Sequence, residues 1–165
     1  YIVFAIHADD ILKILEFPTN EERDIFSKYN YEKNLIYVHQ DKSLMPSNKN
    51  VWSSWNVITS DNTDTVNRNI CVTYWINKLQ NFCSKDPVLV TLNPPKNMAI
   101  NKSKILKKFQ LKHPLLRKNH LLLSEKVEKI QGLKKTYYTG AWLGYGFHED
   151  GLKASKKIVN LISKL

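Results

Sequence analysis

Hydrophobic positions recur along this chain with two periods, and the changes of period mark the predicted elements. Short runs rich in apolar, β-branched and aromatic residues predict strands. These runs cover 1–6, 31–40, a short stretch at 51–56, 70–74, 87–94, 105–113 and 135–139. Apolar residues at helical spacing predict helices. These cover 9–15, 19–29, a turn at 75–82, 115–130 and the end of the chain from about 148. The alternation predicts a mixed α/β chain.

Residues with capping side chains indicate where the first two predicted helices begin. The opening strand leads directly into a helix, and Asp9 or Asp10 is the expected cap. Thr19 is followed three residues later by Glu22, which is the pattern of a capping box. The last helix has its predicted apolar face at Leu152, Ile158 or Val159, Ile162 and Leu165. The middle of the chain predicts an α+β region with a largely antiparallel sheet.

The charge balance raises two alternative functions. The chain has 25 Lys and Arg against 15 Asp and Glu, for a formal net charge of +10. Such a charge attracts phosphate-rich partners or anionic lipid headgroups. The lysines are scattered rather than gathered in a stripe, so we interpret them as a solvated surface and expect no nucleic-acid partner. A non-catalytic basic module that binds nucleic acid or anionic membrane stays as the alternative, with peripheral membrane association as its milder form.

The sequence argues against a membrane-spanning protein, a disulfide-bonded protein and a metal-binding protein. The longest apolar runs are far shorter than the roughly 20 residues of a membrane span, and the expected location is the cytoplasm. Cys71 and Cys83 are predicted to be buried thiols, with a disulfide between them as the alternative. No histidine has ligand spacing to another histidine or to a cysteine, so we expect no metal site. The first residues resemble the middle of a buried strand, and we interpret the sequence as a fragment.

The glycines are concentrated near the end of the chain. All five lie between 132 and 151, after the β-rich run at 135–139 and around the start of the last helix. A strand, a glycine-rich turn and a helix together bring backbone N–H groups and a positive helix end against an anionic ligand. Glycine permits positive φ angles and close approach without a Cβ. A plain connection between strand and helix is the alternative.

The residues of this segment resemble a known family. The run from Thr139 to Ser155, TGAWLGYGFHEDGLKAS, resembles the C-terminal flavin-binding segment of the amine oxidase superfamily. The part GYGFHEDG is similar to a bacterial subgroup of predicted flavin- or dinucleotide-binding amine oxidoreductases. The resemblance extends over nearly the whole chain through shorter matches. These lie at 5–9, 44–46, 51–56, 72–77, 79–80 and 90–95.

The resemblance implies a set of cofactor-binding residues. Gly140 and Ala141 would sit beside the ribityl and phosphate part of FAD. The segment that starts at Gly146 would meet the isoalloxazine ring. Its implied members are Gly146, Phe147, His148, Glu149, Gly151 and Leu152. Ala141 departs from the superfamily, which often has an acidic residue there to bind the ribityl chain. The side chain of Ala141 cannot form that hydrogen bond, so only its backbone N–H could bind the cofactor. Catalytic residues are not implied.

The resemblance also implies an architecture and an activity. The chain would form part of a Rossmann-like FAD-binding domain with an inserted α+β substrate domain. Residues 1–10 and 134–165 would belong to the cofactor domain, and 11–133 to the substrate domain. The implied activity is an FAD-dependent oxidoreductase that abstracts hydride from a small-molecule substrate of apolar or lipid-like character. The Gly-x-Gly-x-x-Gly phosphate turn is absent, which implies a missing N-terminal half of the same protein as a partner.

Several further side chains have a functional and a structural interpretation. His7 and Asp9 follow a presumed parallel strand, where open α/β sheets bind ligands, but they also fit a strand end and a helix cap. Glu149 and Asp150 are favourable at any helix N-terminus. Tyr145 and Phe147 could stack near the flavin face, or could pack in a core. Four other aromatic residues could line an apolar substrate cavity, or could also pack in a core: Trp52, Trp55, Tyr74 and Trp75.

Overall fold

A computed structural model describes residues 1–59, 70–95 and 98–164. The strands are β1 (Ile2–Phe4), β2 (Tyr31–His39), β3 (Trp55–Thr59), β4 (Ile70–Trp75), β5 (Leu89–Leu92), β6 (Ile105–Pro114) and β7 (Thr136–Tyr138). The helices are α1 (Ala8–Ile14), α2 (Asn20–Phe26), α3 (Ile76–Gln80), α4 (His120–Ile130) and α5 (His148–Ile162). The predicted α/β class is confirmed. Part of the predicted loop region, 60–69, and Leu165 of the last helix's apolar face lie outside the described residues.

The chain divides into two compact units. The first contains Tyr1–Glu32 and His113–Leu165, and the second contains Lys33–Lys112. The boundaries predicted at 10/11 and 133/134 differ from this division, because both fall inside the first unit. The reason is packing: Ile11, Phe26 and Val127 share one buried cluster with Phe4 and Tyr138. The assignment of cofactor and substrate roles to particular segments stays a prediction.

The two ends of the chain meet in one sheet. β1 and β7 pair in parallel, with Ile2 opposite Thr136 and Phe4 opposite Tyr138. The two strands therefore lie in one sheet, as expected if 1–10 and 134–165 belong to one domain. The prediction that β1 is buried is wrong for part of the strand. Phe4 is 9% exposed, but Ile2 is 59% and Val3 44% exposed.

Helix caps in the first unit follow local chemistry only in part. Glu22 N–H donates to Thr19 Oγ1 at 3.1 Å and Thr19 N–H donates to Glu22 Oε2 at 2.7 Å, which confirms the capping box of α2. At α1 the cap position is His7, and Asp9 and Asp10 lie in the first turn. The predicted Asp cap is therefore wrong by two or three positions. Both carboxylates still favour the positive end of the helix.

The second unit contains a five-stranded sheet in the order β3-β4-β5-β2-β6. The pairs β3–β4, β4–β5 and β2–β5 are antiparallel, as predicted. One face buries polar side chains in a hydrogen-bonded chain. His39 Nε2 lies 2.7 Å from Thr91 Oγ1, which lies 2.8 Å from Thr73 Oγ1, and all three residues are fully buried. Mutual hydrogen bonding makes this burial tolerable.

The opposite face of the same sheet is apolar. Two rungs of the ladder carry only apolar and aromatic residues, which we call the apolar face. Its members are Val38, Val90, Tyr74 and Trp55 in one rung and Ile36, Leu92, Val72 and Val57 in the other. Trp55 and Val57 are 60% and 61% exposed, whereas Ile36 is buried. The face that buries His39, Thr73 and Thr91 also buries Leu89 and Cys71, two residues along the same strands, so it is a mixed face rather than a purely polar one.

Two further predictions required adjustment. α4 begins at His120 rather than near 115, because 115–117 is irregular and 118–119 forms a turn. Both cysteines are free. Cys71 is buried, as predicted, but Cys83 is exposed, so the buried-thiol prediction is wrong for Cys83. Among the described residues, no helix combines the length and the apolar character needed to cross a bilayer.

Candidate functional site

The carboxyl ends of β1 and β7 lie side by side in the first unit. Thr139 N–H continues the ladder by donating to Phe4 O at 2.9 Å. Beyond it, Trp142 Nε1–H donates to Ile6 O at 2.8 Å, which ties the turn after β7 to the end of β1. Parallel strands that end together form the edge at which α/β sheets bind ligands.

The turn after β7 requires glycine for steric reasons. A Cβ on Gly140 would lie 2.3 Å from Trp142 Nε1, a separation that no real Cβ shows. A Cβ on Gly144 would lie 2.5 Å from the carboxyl carbon of Asp150. Between them, Ala141–Leu143 forms a single 3₁₀ turn in which Trp142 is buried. These two glycines therefore have complete explanations within the chain.

The start of α5 packs against this turn. A Cβ on Gly151 would stand 3.5 Å from Ala141 N, an ordinary contact distance. Thr139 Oγ1 and Ser155 Oγ are 3.1 Å apart, one turn further along the helix. The structure thus brings Gly140, Ala141 and Gly151 together. The N–H of Ala141, the one group left to serve at that position, lies beside the first turn of α5.

Asp150 organises the helix start. Its Oδ2 accepts hydrogen bonds from the N–H groups of Tyr145 at 3.1 Å and Phe147 at 3.0 Å. α5 begins at His148, as the sequence predicts. Glu149 is exposed and forms an ion pair with Lys153, one turn later, at 3.9 Å. The carboxylate of Asp150 therefore has a structural role at the start of α5. Its negative charge also offsets part of the positive potential of the helix end.

The remaining predicted residues form an exposed surface around the helix start. Tyr145, Phe147 and Leu152 are 61%, 65% and 53% exposed, and His148 is also exposed. Gly146 has φ +88°, in the left-handed region that favours glycine. No atom lies within 4 Å of the position that its Cβ would occupy. Large aromatic side chains beside an open backbone position form a surface suited to a planar ligand.

His120 is a positioning residue that the sequence analysis missed. Its Nε2 lies 2.7 Å from Gly144 O, so α4 holds the glycine-rich turn from the side. Tyr29 packs edge-on against both Trp142, at 5.0 Å between ring centroids, and His120, at 5.9 Å. Burial raises the pKa of Tyr29 to about 12, so its phenol stays neutral. No local pattern in the sequence links positions 120 and 144, because the contact arises only when α4 packs.

His7, Asp9 and Asp10 meet at the end of β1. Their ligand-type atoms lie within 4.8 Å of one another, a grouping that histidine and cysteine spacing alone does not reveal. Each member also has a structural role. The His7 ring stacks on Tyr31 at 4.8 Å, and Asp10 pairs with Lys13. Burial raises the pKa of Tyr31 to about 12, and its phenol oxygen accepts the N–H of Ala8 at 3.0 Å.

The four aromatic residues proposed for one cavity separate into two pairs. Trp52 and Trp75 cross edge to face at 5.4 Å, beside buried Leu89. Trp55 and Tyr74 form a second edge-to-face pair at 5.2 Å on the apolar face of the sheet. Because side chains alternate along a strand, Tyr74 and Trp75 point to opposite faces. A single cavity lined by all four residues is therefore wrong.

No protein-family model and no curated protein matches this chain. Among solved structures, the chain is similar to the crystal structure of a CLA-producing fatty acid isomerase from P. acnes, with 14% sequence identity and a TM-score of 0.55. The match covers 96% of this chain and 40% of the isomerase, so the chain spans less than half the length of that protein. At this identity the likeness shows the fold alone.

Proposed function

We propose that this chain is part of an FAD-dependent oxidoreductase of the amine oxidase superfamily. In this proposal the first unit supplies the C-terminal part of a Rossmann-like FAD-binding domain, and the intervening α+β region supplies the substrate domain. The single observation that carries the proposal is the convergence of three features. The carboxyl ends of β1 and β7, the turn at Gly140 and the start of α5 all meet in one place.

The residues around the helix start fit a flavin. Gly146 leaves open space at a backbone position with positive φ, and Phe147 and Leu152 offer exposed apolar surface beside it. When bound, the cofactor supplies two-electron redox chemistry by accepting hydride from carbon. The chain contributes contact and orientation through Gly146, Phe147, His148, Glu149, Gly151 and Leu152, with Gly140 and Ala141 nearer the ribityl chain.

An apolar, lipid-like substrate is supported by the second unit. Its apolar face exposes Trp55 and Val57 next to half-buried Val72 and Tyr74. Contiguous exposed apolar surface on a folded domain marks a binding site more often than a solvated surface. The fatty acid isomerase to which the fold is similar acts on a fatty acid. We extend an apolar substrate class to this chain as part of the proposal.

The proposed partner is a polypeptide segment that carries the phosphate-binding turn. β1 and β7 form a parallel sheet of two strands, and Ile2 and Val3 expose their apolar side chains. Parallel sheets are ordinarily buried on both faces and contain more strands. Further parallel strands beside β1, with the helices that connect such strands packed on the faces of the sheet, would cover these residues. In this proposal the N-terminal half of the same protein supplies them.

The basic module without catalysis is the alternative proposal, and cytoplasmic location accompanies both. Several lysines are paired with carboxylates rather than available to a polyanion. Lys28 and Lys126 both bind Asp24, and Lys157 binds Glu128. These pairs reduce the field that a nucleic acid or an anionic membrane would meet.

The test of the flavin proposal is cofactor retention. The chain should be purified alone and after co-expression with the coding region that precedes it. The proposal predicts a colourless chain alone and bound FAD in the combined protein, because the ADP half of the cofactor needs a phosphate turn. A colourless combined protein that instead binds heparin with strong salt dependence would overturn the flavin proposal and favour the basic module.

A further inference from the structure

A second candidate binding site lies within the second unit. A cleft of about 560 Å³ opens beside the indoles of Trp52 and Trp75. This volume falls in the range of roughly 300–1,000 Å³ that small-molecule sites occupy. The apolar part of the lining also includes Pro46, Phe82 and Pro87.

The aromatic wall of the cleft is held in place. Trp52 Nε1–H donates to Pro46 O at 2.7 Å, which fixes the plane of the indole. Trp52 is only 7% exposed and packs with Met45 and Leu89. The Trp75 ring meets it at 90° with 5.4 Å between centroids. Two indoles at a right angle present both an edge and a face to a planar ligand.

The facing wall is also preformed. Asn77 Nδ2–H donates to Ser84 Oγ at 2.7 Å, and Asn77 Oδ1 accepts the N–H of Val88 at 2.7 Å. Phe82 N–H donates to Asn77 O at 3.2 Å. One asparagine thus ties the segment from Phe82 to Val88 onto α3. A preformed site loses little conformational entropy when a ligand binds.

The polar part of the lining is cationic. Lys42, Lys49 and Lys85 contribute to it, and neither aspartate nor glutamate does. The structure shows no ion pair between these three lysines and any described carboxylate. The site therefore offers a positive field, which favours ligand oxygens with negative charge.

We propose that this cleft binds an anionic aromatic small molecule, an arenecarboxylate in the simplest case. The ring lies against Trp52 and Trp75, and the carboxylate lies among the three lysines. The proposal is independent of the flavin proposal, because all of its residues belong to the second unit.

Calorimetric titration of the full chain tests the ligand class with three probes. We expect 2-naphthoate to bind with one-site saturation. The neutral analogue 2-naphthalenemethanol should bind roughly fivefold more weakly or worse, because it lacks the charge. Decanoate, which keeps the charge but lacks the ring, should also bind more weakly. Equal binding of 2-naphthoate and the alcohol would overturn the anionic requirement, and equal binding of decanoate would overturn the aromatic one.

Matched variants test the location. The double substitution Lys49→Met and Lys85→Met should weaken 2-naphthoate binding roughly fivefold and leave binding of the alcohol unchanged. Lys78→Met is the control, since Lys78 is exposed on α3 and does not line the cleft. All three positions are exposed, and circular dichroism melts should confirm folding. Equal loss in the control and the double variant would overturn the site.

Cys83 provides an independent readout, because it is exposed and lines the cleft whereas Cys71 is buried. Saturating 2-naphthoate should slow alkylation of Cys83 by iodoacetamide, and 2-naphthalenemethanol at the same concentration should slow it less. Unchanged alkylation at saturation would contradict occupancy of this cleft.

Discussion

The phenol of Tyr138 donates a hydrogen bond of 2.6 Å to Glu22 Oε1 in the core of the first unit. The two residues lie 116 positions apart in the sequence, and both are buried. The other carboxylate oxygen of Glu22 completes the capping box of α2. Burial, reinforced by this hydrogen bond, raises the pKa of Tyr138. The carboxylate of Glu22 thereby joins α2 to β7, the strand that precedes the candidate cofactor site.

Removal of this phenol should destabilise the protein. Tyr138→Phe keeps the ring stacked on Phe4 but leaves a buried charged acceptor without its donor. Hydrogen bonds to charged groups contribute about 1.5–3 kcal/mol, and we expect the free energy of unfolding to fall by that amount. Urea denaturation measures it. Tyr1→Phe is the control, because Tyr1 is 67% exposed, and equal stability of the two variants would contradict the role of Tyr138.

The buried histidine of the second unit should make stability depend on pH. Asp41 N–H donates to His39 Nδ1 at 3.1 Å, so Nε2–H is free to donate to Thr91 Oγ1. Burial lowers the pKa of His39 below its ordinary value of 6.5. Just below pH 6.5, His39 is therefore protonated to a greater extent in the unfolded chain than in the folded chain. Stability is complete above about pH 6.5 and falls as the pH drops below it, by roughly 1.4 kcal/mol per pH unit at most.

The pH effect can be assigned to His39 by substitution. Urea denaturation, followed by tryptophan fluorescence, should show the decline between pH 6.5 and 5 in the native protein and not in His39→Gln. Hydrogen bonds from Asn101 and Ser43 outweigh burial and lower the pKa of Asp41 below 3.8. The contribution of Asp41 is therefore lost only at more acidic pH. An identical pH slope in the variant would show that another group is responsible.

Gly144 and Asp150 should be energetically coupled. A Cβ at Gly144 would displace the Asp150 carboxylate from the N–H groups of Tyr145 and Phe147. We expect Gly144→Ala to cost about 1–3 kcal/mol by overpacking, and Asp150→Ala to cost about 0.5–2 kcal/mol by loss of the cap. Thermal melts of both single variants and the double variant measure the coupling. The double variant should lose less than the sum, and strict additivity would show that the two positions are independent.

Sequence reasoning succeeded where the determining interactions are local. The capping box at Thr19 and Glu22 spans three residues, and it is present. The strand around Tyr37 followed from β-forming residues, and the start of α5 at His148 followed from the segment's glycines and acidic residues. The pairing of β1 with β7 required the further inference that one domain is interrupted by another.

The sequence was less informative where tertiary packing determines which side chains are buried and which residues are in contact. The sheet of the second unit buries His39, Thr73 and Thr91 beside Leu89 on one face and exposes Trp55 on the other, which the hydrophobicity of the residues alone does not predict. Alternation along a strand predicts two faces but does not identify which face is covered. The contact of His120 with Gly144 likewise depends on how α4 packs, and no pattern of spacing reveals it.

The central claim is that the turn at Gly146 and the start of α5 approach the flavin. Gly146 and Gly132 have nearly equal φ angles, +88° and +83°, so valine imposes a similar backbone strain, roughly 1–2 kcal/mol, at either position. Gly132 lies in the turn before β7, at the opposite end of that strand from the turn at Gly140. Comparison of the two valine variants therefore distinguishes loss of the cofactor from a general loss of stability.

The most direct measurement is the visible absorbance of bound FAD in the full-length protein carrying Gly146→Val, beside the same protein carrying Gly132→Val. The account predicts that Gly146→Val abolishes flavin retention while circular dichroism still shows a folded protein, because the new side chain occupies the open position at Gly146. Gly132→Val should retain the flavin. Unchanged flavin content in Gly146→Val, or equal loss in both variants, would contradict the account.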